Sequence, residues 1–521
     1  MAYYYKGAFT GLGADGSALD PSLWTNPIIA EYNAMDYTAM TLGNHEFNYG
    51  NYVFTGTLGQ ATFPILGANI YDNGSYGLAD VGVQPYITTT VPGPDGDINI
   101  AIFGIANHRV PNYELPSNIP GLTFTNPIEE AAARVPALDA ANDAVVALTH
   151  IGFTTNPASV EVDNNVDTYL AENVSGIDAI IGGHSHTNPD GTKTDASRGI
   201  YKFLPAILGN PEDNPVIINQ AYRYNNTLGE VILGFMPDGY GGYDLMTRAG
   251  TFLPVSSTTP EDTTINNLIT PYTARLATYT NTTIGQTYYP LDALQAFTQE
   301  TNAANLQADS AMYELAQHGI DDVDFYLSGA MTNKKVADLA TPASPVVLKV
   351  SDMFTLMPYE NSLVTLELNG PQLKTLLERG YRNYYYYKYV LPGHGGYSYY
   401  TTCLLDVSAG SQITYSDTYP RLPDGHNVMS LEVNGLPVDF TDAAKYYHVA
   451  TVNYLAAGSC NFNDNGQTLW PLDQIVHDTQ YYVRDSVINY ITAEETISPT
   501  IEGRLNFVAL TNFLFFPMMN K

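Results

Sequence analysis

Three short segments carry side chains suited to metal and phosphate chemistry. They are Gly43-Asn44-His45-Glu46-Phe47, Leu148-Thr149-His150-Ile151-Gly152 and Gly182-Gly183-His184-Ser185-His186. Histidine is scarce, ten in 521 residues, yet four of the ten fall in these three places. Imidazole nitrogen and amide oxygen are donors that zinc, manganese and iron accept. A single loop histidine is ordinarily polar surface. Three such segments, each ending a stretch that reads as a strand, point to one metal site, because ligands in α/β sheets gather at the carboxyl ends of strands.

The elements that must position them are legible nearby. FPILGANI (63–70), INIAIFGI (98–105), AVVALTHIG (144–152) and GIDAIIGGHSH (176–186) read as buried strands running into loops. Apolar runs without alternation mark strands covered on both faces, as in a layered α/β domain. Pro127, Glu129 and Glu130 open a helix, with proline and acids in the first turn where the free N–H groups lie. Thr259 as N-cap and Pro260 after it predict a second helix, with Ile265, Leu268, Ile269, Tyr272 and Leu276 at helical spacing and Pro271 as a kink. This helix is expected to link two domains. Beyond about residue 290, a helix is expected over 300–319 and another over GPQLKTLLERG, ending at Gly380. VDFYLSGA, NSLVTLELNG and KYYHVATVNYLAAG read as strands, and the tyrosine cluster NYYYYKYV (383–390) as a loop or exposed strand. The domains are therefore drawn at 1–255, 256–289 for the linker, and 290–521.

Composition narrows the function. Lys and Arg number 21 against 53 Asp and Glu, a net charge of −32, which repels phosphate backbones and excludes a nucleic-acid polymer as partner. No run approaches the roughly 18 apolar residues of a membrane span. Forty-one tyrosines and little lysine fit an extracytoplasmic protein. Cys403 and Cys460 allow one internal disulfide or two buried thiols, and sequence leaves the choice open.

With these residues in view, the chain resembles a known family. Asn-His-Glu, a histidine in Thr-His-x-Gly and Gly-His-x-His resemble the calcineurin-like metallophosphoesterases, and GNHEFNYG resembles their secreted 5'-nucleotidase and 2',3'-cyclic-nucleotide phosphodiesterase branch. Glu300-Thr301-Asn302 with Asn305-Leu306 and Ala308-Asp309, the block MPYENSLVTLELNGPQLKTLLERG, and YHVATVNYLAAG are similar to that branch's second half. The resemblance implies an α/β fold: a four-layer α/β/β/α metallophosphoesterase domain joined by a helix to an α+β 5'-nucleotidase C-terminal domain. It also implies a two-metal phosphohydrolase of nucleotides or related phosphate esters. Asn44, His150 and His184 would hold one divalent ion and His186 would help hold the other. His45 would stabilise the transition state or protonate the leaving oxygen, with Glu46 supporting the loop. Tyr359 and Tyr454 would sandwich the nucleobase, and Asn361 and Asp464 would contact base or ribose.

Two departures stand against this pattern. The family's Asp-x-His strand and its Gly-Asp strand, which carries the bridging carboxylate, have no counterpart, since MAYYYKGAFTG falls just after the expected Gly-Asp segment. Asp15, Asp20 and Asp36 lack the preceding glycine. One ion or none is then expected, and the domain would lack its first strands. The apolar tail LNFVALTNFLFFPMMNK (505–521) is suited to supply a replacement strand, in cis or to a second copy by self-association. Further, Ser328-Gly329-Ala330-Met331-Thr332-Asn333-Lys334-Lys335 stands where the family has Gly-Gly-x-x-Arg, and lysine lacks arginine's bidentate fork. The alternatives are a non-catalytic surface or assembly protein that keeps the fold with a decayed metal site, and a nucleotide- or sugar-binding module using only Tyr359 and Tyr454.

Overall fold

The computed structural model describes residues 25–112, 114–153, 166–186, 200–203, 216–329, 333–390, 403–464 and 466–509. The chain divides into two compact units, Met1–Ala274 and Arg275–Lys521. Its architecture is mixed α/β throughout. Among the described residues, no helix is long and apolar enough to cross a membrane.

In the first unit the principal elements are β1 (Tyr86–Gly93), β2 (Gly96–Ile105), α1 (Pro127–Asp139), β3 (Ala144–Thr149), α2 (Asp167–Asn173), β4 (Ala179–Gly182), β5 (Ile200–Phe203) and β6 (Val216–Gln220). They form a six-stranded sheet in the order β1-β2-β3-β4-β6-β5. The four inner strands β2, β3, β4 and β6 run parallel, so their carboxyl ends share one edge. On one face Phe103, Val145, Ala147, Ile180 and Ile218 pack against Ala131, Val135 and Leu138 of α1 and Leu170 and Ala171 of α2. On the other, Val146, Ala179 and Ile217 meet Val231 and Leu233 of the long hairpin β7 (Thr227–Pro237) and β8 (Tyr243–Pro254). Burial on both faces is why these strands read as unbroken apolar runs, each large side chain contributing about 1.5–3 kcal/mol. Helix α1 starts as its sequence predicts: Asn126 Oδ1 accepts the N–H groups of Ile128 at 2.9 Å and Glu129 at 3.2 Å, and Pro127 follows.

Three local expectations change here. The stretch 63–70 is not one strand: Ile65–Leu66 pairs in parallel with Met40–Thr41, and a separate strand begins at Ile70. Asn69 breaks it by bonding across the fold, with Oδ1 accepting Ala106 N–H at 2.8 Å and Nδ2 donating to Ala106 O at 2.9 Å and Thr125 O at 3.2 Å. Helix α3 (Thr263–Thr280) begins later than Thr259, because Asp262 Oδ1 accepts the N–H groups of Thr264 at 2.8 Å and Ile265 at 3.0 Å. Thr259 Oγ1 instead accepts Ser256 N–H at 3.0 Å within the preceding turn. Pro271 lies inside α3, and the boundary between the units falls within the same helix. Asp15 and Asp20 lie outside the described residues, while Asp36 is exposed on a left-handed turn at φ +54°.

The second unit holds α4 (Asn302–Gln317), β9 (Phe325–Gly329), β10 (Ser362–Asn369), α5 (Gly370–Tyr385), β11 (Leu405–Val407), β12 (Ser411–Ser416), β13 (Tyr446–Val452), β14 (Ile475–Tyr482), α6 (Val483–Glu494) and β15 (Leu505–Val508). Its main sheet has five strands in the order β11-β9-β13-β10-β14. Helix α5 does not stop at Gly380 but runs on to Tyr385, and Tyr386–Val390 continue it as a wider turn. Gly380 is there for close packing, since a Cβ at that position would lie 3.2 Å from the Leu405 side chain. The tyrosine cluster is thus a helix end and not a loop or strand. Tyr384, Lys388 and Tyr389 converge on the Asp417 carboxylate at 2.9, 3.0 and 2.6 Å.

Cys403 and Cys460 form a disulfide. The start of the apolar tail is used within its own unit: β15 pairs in parallel with β12, Ile413 opposite Leu505, and Phe507 stacks on Tyr384 with ring centroids 4.5 Å apart. The rest of the tail, residues 510–521, lies outside the described residues. Residues 330–332 of the Ser328–Lys335 stretch do too, whereas Lys335 pairs with Asp338 at 3.2 Å and Asp292 at 3.5 Å.

Candidate functional site

Side chains from three chain segments meet at the carboxyl edge of the first unit's sheet. His150 follows β3 directly, His184 stands two residues beyond β4, and Asn44 follows the short strand Met40–Thr41. Asn44 Oδ1 lies 3.1 Å from His150 Nε2 and 3.2 Å from His184 Nδ1. The two imidazole rings sit edge to face with centroids 5.3 Å apart. Their close seating depends on glycine. A Cβ on Gly43 would stand 3.1 Å from the His150 ring, and one on Gly183 would stand 2.9 Å from His150 Nδ1.

The GGHSH loop holds strained backbone. His184 and His186 have φ of +80° and +51°, left-handed values that cost a side-chain-bearing residue about 1–3 kcal/mol. Ser185 offsets this by locking the loop between them. Its Oγ accepts Phe153 N–H at 3.0 Å and donates to Gln220 Oε1 at 2.7 Å, while Gln220 Nε2 donates to Gly183 O at 2.5 Å. Burial pushes His150 down to about 3, helped by the charges of His184, His45 and His186. Burial likewise lowers His184 to about 4, followed by His45, His186, Arg109 and His108. Both rings are neutral near pH 7 and keep a lone pair for a ligand.

This donor set fits one divalent ion: an amide oxygen and two neutral imidazole nitrogens aimed at a common point. Among the described residues no three His, Cys, Asp or Glu side chains form a metal cluster, so the set depends on the Asn44 amide. His186 shares the loop but is exposed, its ring 6.4 Å from that of Tyr224. His45 is exposed beside Asn44, its Nδ1 2.8 Å from Asn48 Oδ1. Glu46 closes the loop, its Oε2 accepting Gly43 N–H at 2.7 Å.

Two neighbours carry no mark in the sequence pattern. The Asn107 side-chain amide lies 3.0 Å from His184 Nε2, and nothing in IANHRV signals it. Asp167 is fully buried beneath the two histidine loops, one oxygen accepting Thr149 Oγ1–H at 2.6 Å and the other without a hydrogen bond. Burial pushes its carboxyl up to about 8. Its one sequence signal is an acid opening the otherwise apolar face of α2.

In the second unit, Tyr359 and Asn361 precede β10 and Tyr454 follows β13. These strands pair antiparallel with Leu363 opposite Val452, which brings the three residues to one end of the sheet. Asn453 Oδ1 accepts Ser362 N–H at 3.0 Å and stitches that end together. Tyr359 is 58% exposed, Tyr454 is half-buried and Asn361 is buried. Asp464 is exposed but paired, its Oδ1 accepting Arg379 Nη2–H at 2.6 Å. The same guanidinium donates to the carbonyls of Asn461 at 2.6 Å and Asn463 at 2.7 Å. In sequence Arg379 is only one more residue of a helix.

Comparison with known proteins agrees with this layout. Residues 12–188 match the calcineurin-like phosphoesterases, and residues 276–464 match the 5'-nucleotidase C-terminal domain. The chain joins a calcineurin-like phosphoesterase domain to a 5'-nucleotidase C-terminal domain. The phosphoesterase match encloses all five residues of the histidine site, and the C-terminal match encloses Tyr359, Asn361, Tyr454 and Asp464. Over 493 residues the chain is 27% identical to a Homo sapiens 5'-nucleotidase, covering 91% of this chain and 77% of that protein. It is 26% identical over 498 residues to the Bos taurus 5'-nucleotidase, covering 92% and 78%. The crystal structure of a 5'-nucleotidase precursor from Thermus thermophilus superposes with a TM-score of 0.61 at 22% identity, covering 92% of this chain and 86% of that one. At that identity the superposition establishes a shared fold.

Proposed function

We propose that this chain is an extracytoplasmic, metal-dependent phosphohydrolase of nucleotides, of 5'-nucleotidase or cyclic-nucleotide phosphodiesterase type. The observation that carries the reading is the convergence of Asn44 Oδ1, His150 Nε2 and His184 Nδ1 within 3.2 Å. These three residues would hold one divalent ion and His186 would contribute to a second, whose remaining ligands are not found among the described residues. When bound, such ions neutralise charge on the phosphoryl oxygens and acidify the attacking water. The chain's own residues do the rest. His45, exposed and anchored through Nδ1, presents Nε2 to protonate the leaving oxygen. Tyr359 and Tyr454 stack on the base, with Asn361 beside them. The names borne by the relatives support nucleotides as the substrate class. A disulfide and 41 tyrosines support a location outside the cytoplasm.

Metal per chain, by plasma mass spectrometry on protein purified from its source without chelator, tests the reading together with release of phosphate from AMP. At least one ion per chain, with turnover that chelation abolishes, is the expected result. No metal and no turnover would leave a fold retained by a non-catalytic surface or assembly protein.

A further inference from the structure

The connection from β6 to β7, residues 221–226, leaves the sheet at the same edge as the histidine loops. It is tied to one of them, because the Gln220 side chain at the end of β6 bonds both the Ser185 hydroxyl and the Gly183 carbonyl. Beyond Gln220 the chain turns sharply. Tyr222, Tyr224 and Asn225 have φ of +57°, +57° and +51°, and left-handed backbone is costly for tyrosine. Three bonds close the turn. Tyr222 N–H donates to Gln220 O at 3.0 Å, Asn226 N–H to Arg223 O at 3.2 Å and Thr227 Oγ1–H to Ala221 O at 2.9 Å.

What this strained turn sets in place is Arg223. Its guanidinium carbon lies 5.1 Å from the centre of the Tyr222 ring and 5.0 Å from that of Tyr224, whose ring is 6.4 Å from that of His186. Burial and, after it, the Arg223 charge hold the His186 imidazole below its usual range. Ring faces steady a cation while leaving its N–H donors for another partner. Arg134, Arg248, Arg379, Arg421, Arg484 and Arg504 each pair with a carboxylate. Among the described residues Arg223 pairs with none, although the chain holds 53 acids against 21 bases, and it is exposed. A net charge of −32 repels an incoming phosphate ester, and the neutral rings of His150 and His184 do nothing to offset it. A guanidinium at this edge does.

Resting on the reading of this edge as a phosphate-ester site, we propose that Arg223 is a substrate-binding residue that takes phosphoryl oxygens and favours monoesters over cyclic diesters. Two properties of the ligand give the preference. A phosphate monoester carries close to two negative charges near neutral pH and a cyclic diester one, so its attraction to the same cation is about twice as large. A monoester also has three terminal oxygens, enough for both prongs of the guanidinium and one for a metal ion. A cyclic diester has only two.

The test has two arms. In the metal-loaded full chain, Arg223→Gln should raise KM for AMP by at least about tenfold, the worth of a hydrogen bond to a charged group. For 2',3'-cyclic AMP the rise should be only about threefold, since half the attraction is at stake. For both esters kcat should stay within about twofold. An unchanged KM overturns the proposal, and so does an equal rise for the two esters, which would show a merely disturbed loop. The second arm needs no turnover. Orthophosphate titrated into the full chain, against sodium chloride at equal ionic strength, should shift the Arg223 Nε–H signal in proton–nitrogen spectra. A signal that phosphate moves no more than chloride does overturns the proposal. If the chain hydrolyses neither ester, the proposed function fails and the phosphate titration decides Arg223 by itself.

Discussion

The two candidate sites are built on opposite principles. In the first unit Asn44 is buried, His150 and His184 are half-buried and neutral, and the three are locked at about 3 Å around the Asn44 oxygen, on a backbone strained at His184 and His186, with His45 and His186 exposed beside them. In the second, Tyr359 lies open to solvent and Tyr454 is half-buried, and order comes from the backbone around them. The difference suits the tasks proposed for them. An ion at a reacting centre demands geometry fixed to fractions of an ångström, so strain is tolerated there. A flat base needs only rings free to close on both of its faces.

The largest expected effect breaks the contrast at its rigid end. His184→Ala should abolish stoichiometric metal binding, while Tyr454→Ala should leave metal content untouched. Asn107→Ala, which removes the group facing His184 Nε2, should weaken metal affinity by roughly 10–100-fold. Plasma mass spectrometry and calorimetric titration check all three. Metal retained in His184→Ala would sink the assignment of the site.

Next comes the cost of rigidity itself. The Asp167 carboxyl titrates near 8 in the folded chain against 3.8 for the free group, so between those values the native state holds a proton that the unfolded state has lost. Stability contributed by the neutral carboxyl is therefore complete below about pH 4 and falls as the pH rises through about 8. Asp167→Asn should flatten that slope and stabilise the chain at alkaline pH by on the order of a few kcal/mol. Thermal melts across the range check this. An unchanged slope would mean the carboxyl is ionised in place.

What sequence reveals tracks the same divide. Residues whose chemistry is rare, such as His45, His150 and His184, stand out in a chain with ten histidines. The buried strands beneath them stand out because two-sided burial leaves no polar positions. Partners that act through geometry are invisible. Asn107 and Asp167 are common residues given a role by a single close approach, and Gly380 looks like a helix stop because its contact with Leu405 lies across the fold. The tyrosine run looks like a loop for the same reason. Its helix is stabilised by Asp417, some thirty residues onward, and by burial of Tyr381 and Tyr384. Asp464 is legible as a candidate contact, but its pairing with Arg379 is not.

That pairing yields a smaller test at the flexible end. Tyr454→Ala should raise KM for a nucleoside monophosphate by about tenfold, the value of one stacked ring, and leave p-nitrophenyl phosphate unaffected. Arg379→Lys should do the same in lesser degree and by another route. Lysine keeps the charge beside Asp464 but gathers its three donors on one nitrogen where arginine spreads them over two, so the 461–464 segment loses part of its anchorage. Other ties remain, among them the Cys403–Cys460 disulfide, Asn383, whose Nδ2 donates to Cys460 O at 2.9 Å and whose Oδ1 accepts from Asn461 Nδ2 at 3.0 Å, and Asn463, whose Nδ2 donates to Gly458 O at 2.8 Å. With those intact, KM should rise by only about two- to fivefold, roughly the worth of one net hydrogen bond. Combining Arg379→Lys with disulfide reduction should exceed the sum of the two separate effects, since each tie limits what loss of the other can do. Strict additivity, measured as KM over the four combinations, would show that the guanidinium and the disulfide restrain different parts of the segment.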